Sequence, residues 1–137
     1  MQQLFGLDTS VLLRAYAPEH HKYKQTARAF LQSLELHSPG FITQVTLFEF
    51  FFTMHRSYKI SRKQCLDLIN ELLKNPALEF EDGESVEYAL EQAYAGADFQ
   101  DALISQTHRL FGAQRTATFD QSAAEKLGWV FLGNPQA

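Results

Sequence analysis

The sequence has little cysteine and no long apolar run. Its single cysteine, Cys65, excludes an internal disulfide and any metal cage built from cysteines. No apolar stretch reaches the roughly 18 residues that indicate a membrane span. The N-terminus lacks a basic segment followed by a small-residue cleavage site, so it does not resemble a signal peptide. We therefore expect a cytoplasmic protein with no membrane-spanning helix.

The sequence also lacks an excess of positive charge and the common nucleotide-binding motifs. Its formal net charge of −4 argues against a surface covered with basic residues for general nucleic-acid binding. Neither GxGxxG nor GxxxxGK[ST] occurs, which disfavours a nucleotide-binding domain. The five histidines show no HxH or HExxH spacing, which disfavours a zinc site.

A short basic run stands out against this acidic background. It consists of Arg56, Lys59, Arg62 and Lys63, next to His55. Such a run usually forms a solvated helix surface. The alternative interpretation is a contact site for RNA phosphates beside Glu49.

What the sequence does contain is a globular pattern. The 137 residues are 45% apolar, with 12 phenylalanines, and their number suits one domain covering 1–137. Short strand-like segments at 3–7 (expected to be buried), 41–42, 78–80, 115–119 and 129–132 alternate with helical patterns near 11–17, 19–36, 61–75, 84–94, 99–110 and 122–127. A further helix, which contains Glu49, is expected to begin at Thr43 or Gln44. Residues 134–137 are expected to form a loose tail. The alternation predicts an α/β fold with a mostly parallel sheet covered by helices on both faces.

Four acidic residues lie within apolar sequence at the ends of these segments: Asp8, Glu49, Asp101 and Asp120. A buried carboxylate is costly without a partner, and several together repel one another unless cations neutralise them. Asp8 and Asp120 follow predicted strands, and ligands gather at the carboxyl ends of parallel strands. The pattern predicts a divalent metal with oxygen ligands, and hence phosphate chemistry.

Three acids have a simpler structural alternative as helix or turn caps. Asp8 can cap the first helix, although Thr9 or Ser10 could also do so. Asp120 can cap the short helix that follows it. Asp98 is a good cap for the helix that contains Asp101, which leaves Asp101 as the better metal ligand of the two.

Glu49 has another alternative, because it can pair with His55 or Arg56 further along the same helix. The phenylalanines around it, at positions 48, 50, 51 and 52, crowd this helix. Either the helix packs on two sides, or part of it offers an apolar surface to a second subunit or a partner helix.

These acids lie in the segments LDTSVLLR, GADFQDALISQTH and TATFDQSAAEKLGW, with the Glu49 helix between the first two. Together they span nearly the whole chain. In this order the sequence resembles PIN-domain nucleases, most closely the VapC-type toxins of toxin–antitoxin pairs.

The resemblance implies a three-layer α/β/α sandwich and endoribonuclease activity that depends on Mg²⁺ or Mn²⁺. It also implies a homodimer and a cognate antitoxin. The family's acidic positions fall on Asp8, Glu49, Asp101 and Asp120 as catalytic and metal-binding residues. Asp98 is an additional candidate, as are the hydroxyls of Thr9, Ser10 and Thr118, the last of which could bind a phosphate oxygen or a metal-bound water.

Other functions remain open. A non-catalytic module of the same fold would bind RNA or a protein partner, but it would lose acidic ligands. A related deoxyribonuclease would use the same acids on a different sugar. A phosphatase would need a second Asp at position 10, where this sequence has Ser10. A receiver-type domain would need an acidic pair near the N-terminus, where this sequence has Asp8 alone.

Overall fold

A computed structural model describes residues 3–133, and the expected tail at 134–137 lies outside this range. The chain divides into two compact units, Met1–Gly83 and Glu84–Ala137. Each unit contains helices and parallel strands.

The first unit contains a three-stranded parallel sheet and most of the helices. Its three strands pair side by side in chain order, with Phe5 opposite Gly40 and Gly40 opposite Leu78. In chain order the elements are β1 (Phe5–Gly6), α1 (Thr9–Tyr16), α2 (Lys24–Ser33), β2 (Gly40–Ile42), α3 (Gln44–Arg56), α4 (Arg62–Lys74) and β3 (Leu78–Phe80).

The second unit contains a two-stranded parallel sheet, in which Ala117 lies opposite Val130. Helix α7 (Gln121–Leu127) is capped by Gly128, whose φ of 71° is the left-handed conformation that glycine adopts without penalty. The elements are α5 (Gly83–Tyr94), which begins at the boundary of the units, α6 (Phe99–Leu110), β4 (Ala117–Thr118), α7 (Gln121–Leu127) and β5 (Val130–Phe131).

The start of β2 is packed too closely for a side chain. A Cβ atom added at Gly40 would lie 2.9 Å from Leu34 Cδ1, 3.0 Å from Leu7 Cδ1 and 3.1 Å from Leu78 Cδ2. All three leucines are buried. Glycine therefore lets these three side chains meet over the central strand of the sheet.

Helix α3 is fixed at its N-terminus by two side chains. Thr43 Oγ1 accepts a hydrogen bond from the Thr46 amide at 3.1 Å, and Glu81 Oε1 accepts one from the Gln44 amide at 2.9 Å. These bonds satisfy amides that have no partner within the helix. Glu81 therefore has a structural role at the start of this helix.

The aromatic residues of α3 divide between core and surface. Phe50 is buried, Phe48 and Phe51 are half-buried, and Phe52 is exposed. The helix thus leaves some of its phenylalanines outside the core. This is what the crowding of four phenylalanines on one helix predicted.

Several predicted segments are shorter in the structure, among them the strands expected at 115–119 and 129–132, which are only Ala117–Thr118 and Val130–Phe131. The strand expected at 3–7 is only Phe5–Gly6, and it is exposed rather than buried because β1 lies at the edge of the three-stranded sheet. The helix expected at 19–36 runs only from Lys24 to Ser33, and Tyr23, directly before it, is 56% exposed. A turn between Glu35 and Ser38 replaces its predicted end.

The helices and parallel strands agree with the predicted three-layer α/β/α class. None of the helices in the described range is both long enough and apolar enough to cross a bilayer.

Candidate functional site

Asp8 follows the end of β1 and caps α1. Its Oδ2 accepts hydrogen bonds from the Ser10 hydroxyl at 2.6 Å and from the Ser10 amide at 3.2 Å. These bonds favour the charged carboxylate and hold the pKa of Asp8 below its usual value. The cap is thus Asp8, not Thr9 or Ser10, and Ser10 instead orients the Asp8 carboxylate.

Thr9 connects this strand end to Glu49. It is buried at the first position of α1, and its hydroxyl donates a hydrogen bond to Oε1 of Glu49. His55 and Arg56, the expected partners of Glu49, make other contacts: His55 Nδ1 lies 2.8 Å from the Ile60 carbonyl oxygen, and the Arg56 guanidinium lies 5.3 Å from the centre of the Phe52 ring. The structure therefore brings Glu49 beside the residue that follows Asp8.

Asp98 and Asp101 share the first turn of α6. Asp98 is the N-cap, and its Oδ1 accepts a hydrogen bond from the Asp101 amide at 2.9 Å. The Asp101 carboxyl is half-buried, and this burial raises its pKa, with further contributions from the negative charges of Asp98 and Asp120. Asp101 is thus the crowded carboxylate of the second unit.

Asp120 follows β4 and caps α7. Its Oδ1 accepts a hydrogen bond from the Ala123 amide at 3.1 Å, while its own amide donates to Thr118 Oγ1 at 2.9 Å. Thr118, predicted as a contact for phosphate or water, here fixes the backbone at Asp120. The cap alternatives for Asp8, Asp98 and Asp120 are therefore all correct, although capping leaves each side chain its negative charge.

The expected burial of the acids is wrong for most of them. Asp8, Glu49 and Asp120 are exposed, and Asp101 is half-buried. Caps lie at helix ends, where solvent reaches them. Glu49 is exposed despite its apolar neighbours because Val45 and Phe52, one turn before and after it on the same face, are themselves 73% and 57% exposed.

The predicted phosphate contacts lie around the turn from α3 to α4. Arg56 ends α3, Lys59 has a left-handed backbone with φ of 59°, and Arg62 begins α4. Lys63 Nζ lies 3.0 Å from the Asp67 carboxylate in an exposed ion pair. Arg56 is two helical turns, roughly 10 Å along the axis, from Glu49. The RNA contacts of these four residues stay a prediction.

The acidic side chains have the right chemistry for a hard divalent cation, which prefers carboxylate oxygens. Asp98 and Asp120 are near enough to Asp101 to raise its pKa, a repulsion that a cation would relieve. Across residues 3–133, however, no three acidic, histidine or cysteine side chains converge closely enough to hold an ion. The donors therefore fit a metal by their chemistry, and the metal-ligand assignment stays a prediction.

A groove beside Asp8 was not predicted. It lies between α1 and α2 and is lined by Ser10, Val11, Arg14, Tyr23, Thr26, Ala27 and Phe30. Tyr23 and Phe30 both lie in the helix predicted at 19–36. Their spacing of seven residues, two helical turns, could have indicated an aromatic face open to a ligand.

Comparison with known proteins gives the family. The profile of the PIN domain matches residues 6–127, which includes all the acidic residues discussed above. No curated protein matches the chain at a significant level. Because the matched residues make up far more than half of the sequence, this protein belongs to the PIN domain family.

Proposed function

We propose that this protein is an endoribonuclease dependent on Mg²⁺ or Mn²⁺, and that it is the toxin of a toxin–antitoxin pair. PIN domains are generally nucleases, and this chain belongs to the family over residues 6–127. The proposal assigns metal binding and catalysis to Asp8, Glu49, Asp101 and Asp120.

The single observation that carries the proposal is the half-buried carboxyl of Asp101 next to Asp98, whose carboxylate accepts a hydrogen bond from the Asp101 amide at 2.9 Å. Burial and two negative neighbours, Asp98 and Asp120, disfavour its charged form. The charged carboxyl of Asp101 therefore costs stability unless a cation neutralises it. Carboxylates whose charged form is unfavourable without a metal ion and favourable with one are typical of functional sites.

The first unit supports the proposal in a second way. Asp8 is held in its charged form by Ser10, and Glu49 is oriented by the buried hydroxyl of Thr9. Both acids are exposed and therefore accessible to a hydrated ion and to a phosphodiester. Mg²⁺ commonly keeps several waters and binds through only one or two carboxylates, which suits accessible ligands.

When bound, a divalent ion lowers the pKa of a water it holds and stabilises negative charge on the phosphate oxygens. The protein's own part is to supply oriented carboxylates: Ser10 positions Asp8, Thr9 positions Glu49, and Thr118 fixes the backbone at Asp120.

The decisive experiment is cleavage of total RNA by the purified protein with Mg²⁺, with excess EDTA, and with the Asp101→Asn variant. The matched control is Asp82→Asn. Asp82 is exposed with a φ of 51°, a conformation that asparagine tolerates well, so this variant removes one negative charge and keeps a residue suited to that backbone.

We expect cleavage by the parent and by Asp82→Asn with Mg²⁺, and none with EDTA or with Asp101→Asn. Equal cleavage by Asp101→Asn and the parent would refute the assignment. Parallel assays on single-stranded and duplex DNA separate a ribonuclease from a deoxyribonuclease.

The toxin role has its own test. Induced expression of the parent should arrest growth, and expression of Asp101→Asn should not. Co-expression of a small DNA-binding protein encoded in the neighbouring reading frame should restore growth and co-purify with the protein. Growth unaffected by the active enzyme would leave a ribonuclease with another role. Size-exclusion chromatography with light scattering tests the proposed homodimer.

A further inference from the structure

The groove between α1 and α2 has the size and walls of a ligand site. Its volume is about 380 Å³, within the usual range of about 300–1,000 Å³ for small-molecule pockets. It belongs entirely to the first unit. Ser10, whose hydroxyl bonds the Asp8 carboxylate at 2.6 Å, forms one end of its lining. The groove therefore reaches the serine that binds a proposed catalytic acid.

The walls combine aromatic rings with a few hydroxyls. Tyr23 is 56% exposed, and Lys22 Nζ lies 5.0 Å from the centre of its ring. Phe30 stands edge-on to Phe5, with ring centres 5.4 Å apart. Thr26 and Ser10 add hydroxyls to an otherwise apolar lining. Flat apolar walls with polar points suit a flat ligand with polar edges.

The segment that carries this groove is basic, unlike the chain as a whole. Residues 14–28 contain Arg14, Lys22, Lys24 and Arg28 against the single acid Glu19, whereas the full chain has a net charge of −4. Arg14 lines the groove itself and is held by Glu19 at 2.7 Å. Positive charge beside exposed aromatic rings is the combination by which proteins bind single-stranded nucleic acid.

We propose that this groove holds one unpaired nucleobase of the RNA substrate, stacked on Tyr23, next to the phosphate that is processed at Asp8. The proposal rests on the ribonuclease function proposed above and adds a base-binding site to it. Charge complementarity favours RNA over a protein helix as the occupant, because residues 14–28 carry four basic side chains against one acid, Glu19, which pairs with Arg14.

The test uses two variants that alter the groove in opposite ways. Tyr23→Ala removes the stacking surface, and Thr26→Trp fills the groove from an exposed position. Tyr94→Ala is the matched control, because Tyr94 is similarly exposed, at 45%, and does not line the groove. Each protein is titrated with short, labelled, single-stranded RNA in EDTA, so that binding is measured without metal-dependent cleavage.

We expect both groove variants to bind at least about fivefold more weakly than the parent and the Tyr94→Ala control, since stacking on one aromatic side chain is worth about that much or more. A third variant, Lys22→Ala, removes a positive charge beside the Tyr23 ring. The Tyr23→Ala defect should persist at higher salt, whereas that of Lys22→Ala should shrink, because attraction between a lysine and phosphates depends on counterion release and stacking does not.

The sharpest measurement pairs Tyr23→Ala with RNA that lacks a single base. An abasic nucleotide at one position should weaken binding to the parent by the same factor as Tyr23→Ala, and should weaken binding to the variant no further. Such non-additivity shows that the ring and that base contact each other.

Two outcomes would overturn the base site. If every abasic position weakens RNA binding as much in Tyr23→Ala as in the parent, Tyr23 does not contact a base. Parent-like RNA binding by Thr26→Trp, with loss of binding to a co-purifying protein partner, would assign the groove to that partner. Failure of the nuclease itself is distinguishable: the parent would then not cleave RNA with Mg²⁺, while the abasic coupling in EDTA would still be observed.

Discussion

The buried hydroxyl of Thr9 donates a hydrogen bond to the carboxylate of Glu49, forty positions further along the chain. Thr9 directly follows Asp8, so this bond brings two of the predicted catalytic acids into one region of the first unit. It also explains how an exposed glutamate in a helix can be held in one orientation.

Removing this bond should lower the free energy of unfolding and slow the cleavage of RNA. Thr9→Val keeps the shape of the side chain and removes its donor. We expect a loss of about 1–2 kcal/mol in the free energy of unfolding, because Glu49 then lacks a hydrogen bond to its charged group. Unfolding by urea measures this loss. A double-mutant cycle with Glu49→Ala serves as control, and independent effects of the two substitutions would contradict the contact.

Asp101→Asn should stabilise the metal-free protein at neutral pH. Burial and the charges of Asp98 and Asp120 raise the pKa of Asp101 above 3.8, so the folded state binds its proton more tightly than the unfolded state does. The cost of the charged form is fully present above the raised pKa and disappears as the pH falls below 3.8. Thermal unfolding in EDTA should therefore show a higher Tm for the variant at pH 7 and no gain near pH 3.

Mg²⁺ should stabilise the parent far more than it stabilises Asp101→Asn. A ligand present at about 100 times its Kd adds about 2.7 kcal/mol to the free energy of unfolding. Thermal unfolding with increasing Mg²⁺ measures this shift, and Asp82→Asn should behave like the parent. Identical Mg²⁺ responses in the parent and Asp101→Asn would remove Asp101 from the proposed ligands.

Two substitutions at Asp98 separate its roles as helix cap and as ligand. Asn caps a helix about as well as Asp, whereas Ala costs about 0.5–2 kcal/mol. If Asp98 is only the cap of α6, then Asp98→Asn keeps both stability and cleavage and Asp98→Ala loses stability. A stable Asp98→Asn protein without Mg²⁺-dependent cleavage would instead make Asp98 a ligand.

Gly40→Ala and Gly6→Ala form a matched pair within one sheet. The new methyl group at position 40 would press on Leu7, Leu34 and Leu78 at about 3 Å, while nothing lies within 4 Å of the same atom at position 6. We expect Gly40→Ala to cost about 1–3 kcal/mol, as overpacked cores do. Gly6→Ala should be neutral or slightly stabilising. Chemical denaturation of both proteins checks this contrast.

Local signals were enough to predict several elements. Asp98 and Gly112 bracket α6, which was predicted at 99–110 and is observed at Phe99–Leu110. Asn75 and Pro76 end α4, and β3 was predicted at 78–80 and is observed at Leu78–Phe80. Caps and breakers act within a few residues, so the sequence alone reveals them.

The burial of the acids could not be predicted in the same way. Apolar neighbours in the sequence suggested that Glu49 is buried, but Val45 and Phe52 on its face of α3 are exposed. Which face of a helix meets the core depends on the elements packed against it. The groove at Tyr23 escaped prediction for the same reason, because two helices must pack before a space exists between them.

The sequence by itself determined the family, the order of helices and strands, and the acidic residues available for a metal, since all of these depend on residue type and short spacing. Only the tertiary structure decided that Thr9 holds Glu49, that Asp120 lies near Asp101, and that a groove opens beside Ser10. Those relationships join positions distant in the chain, and packing between elements, rather than local preference, sets their distances.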